Sequence, residues 1–289
     1  MPSTDINTNQ LPQNNVLVLN DTDVYVLLRS DAGVVSLVSN FQVILAAISV
    51  LLCFGLLFYL VYKGKHKYVF SRKNLLLSSV FLSSSCLFAS MAAHTTSPNR
   101  STSMARGAAA AISVTLYLFY SFERSSEVLR QNSSGYVYNV FRVLLLFTII
   151  ILLCPIVFLS LPIDYERALY MNRIANVISG IGALALDAFL VTKCCQHLLK
   201  RTKEIVELKG EEARGAKFFP IVARHTIIAC VGNLVMLGFY VTGFEILNHM
   251  HNLNDMYTYY LMQIFLSLCI LFSISTLLSM KIRLLNVGK

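Results

Sequence analysis

The chain of 289 residues contains no tryptophan, six prolines, and only 13 % charged residues. A soluble domain carries about 25 %. So low a charge content excludes a disordered chain, a nucleic-acid-binding domain and an ordinary cytosolic enzyme. Catalytic signatures are missing too: there is no GxSxG, HExxH, P-loop or CxxC. A basic start followed by an apolar stretch is also missing, so no secretory signal peptide is expected, and the first span is expected to act as the targeting signal.

Long apolar runs are what the chain does have. Hydrophobic residues make up 56 %, and the mean hydropathy is +0.63. A membrane span needs roughly 20 mostly apolar residues. Stretches of that kind fall near 41–62, 74–94, 104–122, 143–162, 174–193, 219–244 and 257–280. They predict an all-α integral membrane protein, a seven-transmembrane helix bundle over 41–280. A polar tail (1–40) precedes it and a short tail (281–289) follows. Span 3 is among the most polar because it opens with Arg106 and the small-residue run Gly107 to Ala111; span 5 contains Asp187.

Charge distribution gives an orientation. Of 24 Lys and Arg, only Arg29, Arg100, Arg106, Arg167 and Arg173 fall in one alternate set of segments; the rest gather in the other set. The positive-inside rule then places the N-terminus outside and the C-terminus in the cytoplasm. A multi-pass protein of the plasma membrane is expected, with the lipid bilayer as partner and no nucleic acid. Two glycosylation sequons fall outside, at Asn20 and Asn99; a third, at Asn132, falls inside and is expected to stay bare.

None of the seven cysteines lies in an expected outer loop, which argues against an extracellular disulfide. Cys194 and Cys195 sit at the inner end of span 5. They are either S-palmitoylation sites or two reduced structural thiols. His249 and His251 lack a third ligand and read as a solvated pair, so neither a metal nor a cofactor is expected.

Asp187 is the only acid inside a span. One carboxylate gives no acid pair, which argues against an intramembrane hydrolase, and no enzymatic activity is expected. A carboxylate within a span costs several kcal/mol unless paired or hydrated. Arg224 and His225, at the corresponding end of span 6, are its expected partners, as a latch between helices 5 and 6 or as a static pair. The outer halves of the spans offer His94, Arg106, Asn176, Tyr240, Glu245, Tyr257, Tyr260 and Gln263 for a ligand cleft. An interfacial belt accounts equally for Tyr257 and Tyr260. Helix 5 is expected to extend into the cytoplasm until about Gly210, with Phe218 and Pro220 opening helix 6. Pro155 is expected to kink span 4.

Span 3 ends Tyr117-Leu-Phe-Tyr-Ser-Phe-Glu123-Arg124-Ser125. An acid–Arg pair at the inner end of the third of seven helices resembles the E/D-R-Y element of rhodopsin-like G-protein-coupled receptors. The resemblance covers topology across nearly the whole chain and this one short motif. It implies that Glu123 and Arg124 form a coupling element. It also implies a heterotrimeric G protein as partner and an unknown extracellular ligand. The chain departs from that family in having no span-4 Trp, no CWxP, no NPxxY and Ser84 where an Asp is usual. Span 7 holds no Lys, so a retinal Schiff base is excluded. The alternatives are a small transporter or channel, or a structural membrane protein.

Overall fold

The structure, a computed structural model, describes residues 31–63, 70–132, 135–162, 164–209, 214–250 and 252–287. Among these residues it is all-helical. The seven helices are α1 (Ala32–Tyr62), α2 (Arg72–Thr96), α3 (Arg100–Asn132), α4 (Gly135–Ser160), α5 (Tyr165–Lys209), α6 (Arg214–Asn248) and α7 (Leu253–Val287). Each expected span lies on one of them; the fourth overruns Ser160 by two residues.

Six of the seven, all but α3, are long and apolar enough to cross a bilayer. Their apolar side chains face outward. Phe58 is 73 % exposed, Ile150 62 % and Val231 54 %, while Ser49, Ser84, Ser121, Asp187 and Ser267 are buried. That inversion of a soluble protein's pattern fits a lipid-facing surface. α3 is more polar because it has little lipid to meet. Among its described side chains, Ile112 is the one large apolar residue that is exposed.

Successive helices pack side by side. α1 also meets α7, which closes the ring, and α3 leans across to α5. Small polar residues tie neighbours together, as such residues do where no hydrophobic force acts between helices. Ser85 donates to the Ala46 carbonyl at 3.0 Å, and Ser84 and Ser113 lie 3.3 Å apart. At the end where α7 finishes, Leu56, Leu60, Leu77, Tyr120, Leu198 and Met280 bury one another and close the bundle. At the opposite end, Val38, Met250 and Met256 form a smaller cluster.

The ends of the helices differ from expectation. Helix α6 starts at Arg214, so Pro220 lies within it rather than at its opening. Pro155 lies inside helix α4, where the sequence places it. Helix α7 continues to Val287, so most of the expected tail is helical. Helix α5, by contrast, runs to Lys209, in keeping with the expected stop at about Gly210.

Candidate functional site

Six helices, α2 to α7, wall a cavity of about 240 Å3 inside the bundle. Its middle is mainly apolar, with Leu87, Leu118, Leu237, Leu266 and Ile270 among the walls and the hydroxyls of Ser84, Ser113 and Ser179 between them. Polar groups stand at both ends. Toward the end where α1 begins are Arg106, Asn172, Asn176, Tyr240 and Gln263; at the floor, toward the end where α7 finishes, are Tyr117, Asp187, Asn233 and Ser273. A smaller cavity of about 40 Å3 adjoins it and shares Met91, Arg106 and Gln263 as walls. His94, Arg173 and Tyr260 line this smaller space.

Arg106, Asn176, Tyr240 and Gln263 therefore come together on the main cavity, and His94 and Tyr260 on its extension. Glu245 and Tyr257 do not join them, which corrects the expected cleft. Glu245 is exposed and sits 3.7 Å from His249. Tyr257 donates to Asp31 Oδ2 at 3.0 Å, on the outside of the bundle. The geometric reason is simple: residues six apart on a helix are about 120° apart, so Tyr257 and Gln263 do not share a face.

The pairing of Asp187 is also corrected. Its carboxylate accepts from Ser121 Oγ at 2.7 Å and from Tyr117 Oη at 2.8 Å, both on α3. Neither Arg224 nor His225 reaches it. Register explains this: Cys195 Sγ faces the Ala223 carbonyl at 3.8 Å, which puts Arg224 level with Cys195. Asp187 lies eight residues earlier on α5, about 12 Å away along the axis. Arg224 is exposed, and His225 Nδ1 lies 2.8 Å from the carbonyl of Ile221 in its own helix. Residue Asp187 is 1 % exposed, so its two donors are what satisfy it. Asn233 accepts from Ser273 Oγ at 3.0 Å beside this group. The floor is thus a polar layer drawn from α3, α5, α6 and α7.

Tyr117, Ser121, Asn233 and Ser273 were not singled out from the sequence as site residues. A signal for the first two exists: Ser113, Tyr117, Ser121 and Ser125 recur every fourth residue and make one polar stripe on α3.

Glu123 and Arg124 part company. Glu123 pairs with Arg72 at 3.6 Å, across to α2. Arg124 turns inward, its guanidinium 5.8 Å over the Tyr120 ring and Nη1 3.7 Å from Met280 Sδ on α7. Its Nε is buried with no acceptor.

Cys194 and Cys195 are buried, at 2 % and 7 % exposure. That corrects the acylation reading, because a thioester-linked chain needs its sulfur at the lipid face; the thiols sit as structural groups. Asn99 is exposed and caps α3, its Oδ1 accepting from the Thr102 backbone N–H at 2.8 Å. Asn20 and His251 lie outside the described residues. Among the described residues no group of His, Cys, Asp or Glu is arranged to hold a metal.

No protein-family model, curated protein or solved structure matches the chain.

Proposed function

We propose that the chain is a seven-helix membrane receptor of G-protein-coupled type, with its N-terminus outside and its ligand in the interhelical cavity. The observation that carries this reading is the shape of the interior. One cavity touches six of the seven helices, and the apolar layer around Leu60, Leu77 and Met280 lies beyond its floor. A molecule there contacts nearly every helix and meets a closed end, which suits sensing better than passage. An occupant that prefers one helix arrangement shifts the population toward it. Binding, not catalysis, is the role proposed for the site.

Arg124 supports the second half of the reading. Its buried Nε has no acceptor beside Met280 and Tyr120. A guanidinium left short of hydrogen bonds gains by moving to acceptors that a cytoplasmic partner presents. The projecting last turns of α5 add a basic surface on that side, with Lys200, Arg201 and Lys203.

Basal nucleotide exchange on a panel of purified heterotrimeric G proteins, with the chain in lipid nanodiscs, tests the proposal. Exchange by at least one G protein, abolished by Arg124→Ala with expression and folding retained, is the expected result. Exchange by none, together with ion-coupled solute flux in liposomes, overturns it in favour of a transporter.

A further inference from the structure

We propose that the cavity takes a small organic anion: an apolar body bearing a carboxylate-type group that pairs with Arg106 at the end where α1 begins. The inference rests on the reading of the cavity as a ligand site and names the chemical class of what enters it.

Arg106 is the pivot. It walls both the large cavity and the smaller one. It is partly shielded, and it makes no hydrogen bond or ion pair with any described residue. Arg100 and Arg173, at the same end, are engaged, and Arg167 is exposed and lines neither cavity. Arg100 spends its guanidinium on the carbonyls of Leu159 and Leu161, where α4 ends. Arg173 donates to Asn248 Oδ1 at 3.1 Å and lines the small cavity beside Arg106. Two guanidinium groups therefore face one small space, and among the described residues no Asp or Glu lines it.

The nearest acid on the cavity wall is Asp187, and it is far away. Its partner Tyr117 lies eleven residues beyond Arg106 on α3, about 16 Å along the helix. Asp187 already holds two donors. Of the described acids nearer the mouth, Asp31 caps α1, Glu245 faces His249 and Asp255 accepts from the Asn252 backbone N–H, while Asp164 is exposed; none of the four lines either cavity. A guanidinium with no acceptor among the described residues, in a cavity within a bilayer, draws a counter-anion. Its planar fork matches a carboxylate with two parallel hydrogen bonds. Leu87, Leu237, Leu266 and Ile270 then receive the apolar body in the middle of the cavity.

The test uses three probes that share one body and differ in the head group: 4-phenylbutyrate, 4-phenylbutanol and 4-phenylbutylamine. Each is titrated by saturation-transfer NMR against the full chain in nanodiscs, with empty nanodiscs subtracted. The expected order is acid tightest and amine weakest. Arg106→Gln should weaken the acid about tenfold, which is the loss of one charge-assisted hydrogen-bond pair, and leave the alcohol unchanged. Arg106→Lys should retain most of the preference for the acid. If the amine or alcohol binds as well as the acid, or Arg106→Gln weakens acid and alcohol alike, the anion inference falls while the ligand cavity stands. If none of the three binds, both fall. If the acid binds in this pattern, no G protein responds and ion-coupled flux is found, the receptor reading falls alone. Should Arg106→Gln not fold, the ranking of the probes on the unaltered chain decides.

Discussion

Ser179 of α5 donates to the Ile151 carbonyl of α4 at 3.0 Å, and Ile151 is the residue whose helical partner Pro155 removes. Proline has no N–H to offer the carbonyl four residues back. In lipid that carbonyl would stay bare at a cost of one to a few kcal/mol, roughly. Ser179, 1 % exposed, supplies the missing donor from the next helix while also lying 2.6 Å from the Ala175 carbonyl of its own. Ser179→Ala should therefore lower stability by about 1 kcal/mol. Pro155→Ala restores the N–H, so in that background Ser179→Ala should cost clearly less. Thermal unfolding of the four variants in detergent measures the coupling. Equal costs in both backgrounds would sink this account.

The Asp187 layer gives a second cycle. Tyr117→Phe and Ser121→Ala each strip one donor from a buried carboxylate, and each should destabilise by about 1–3 kcal/mol. Asp187→Leu removes the demand for both donors, so adding Tyr117→Phe to it should change little. Arg224→Gln, at an exposed position, should stay within about 0.5 kcal/mol of the unaltered chain. A large loss from Arg224→Gln would mean that α5 and α6 pair in another register.

Acid should loosen the start of α1. Asp31 accepts from the Gly33 and Val34 backbone N–H groups at 3.0 and 3.1 Å, and from Tyr257. The Val34 hydrogen bond, then that of Tyr257, hold its carboxyl below the ordinary 3.8. A depressed value in the folded state means that the stabilisation is present above pH 3.8 and is lost as pH falls through the lower folded value. Hydrogen exchange at Gly33–Val35, corrected for intrinsic rates, should rise on acidification across that window. Asp31→Asn keeps a capping side chain and should abolish the pH dependence. Persistence of the same pH dependence in Asp31→Asn would assign it to another group.

The helices were legible because a bilayer dictates span length, and six of the seven apolar runs lie on helices long and apolar enough to meet it. Their ends were less so. Helix α5 reaches from Tyr165 to Lys209, far beyond the apolar 174–193, because polar flanks stay helical once a packed span nucleates them. Within the site, Arg106, Asn176, Tyr240 and Gln263 were readable as polar residues in apolar surroundings, and they line the cavity. What Asp187 pairs with was not readable. That depends on the axial register between α5 and its neighbours, set by contacts such as Cys195 with Ala223 and Gly180 with Leu237. Composition carries no record of that register.

Two glycines of α6 should respond oppositely to substitution. A Cβ on Gly232 would stand 2.9 Å from Ser273 Oγ and 3.3 Å from Phe272 Cδ1, so α7 approaches α6 closely there. Ser273 is the residue that donates to Asn233, so pushing it aside also strains the cavity floor. Gly232→Ala should destabilise by about 1–3 kcal/mol, the usual range for overpacking. A Cβ on Gly238 meets nothing within 4 Å. Gly238→Ala should be neutral or stabilising by up to about 1 kcal/mol, because alanine stiffens the unfolded chain and favours helix. If a swing of α6 bends the helix at Gly238, the alanine variant should gain thermal stability and lose basal exchange together. If it gains stability with exchange intact, Gly238 is no hinge, and α6 moves as one rod about its close contact with α7 at Gly232.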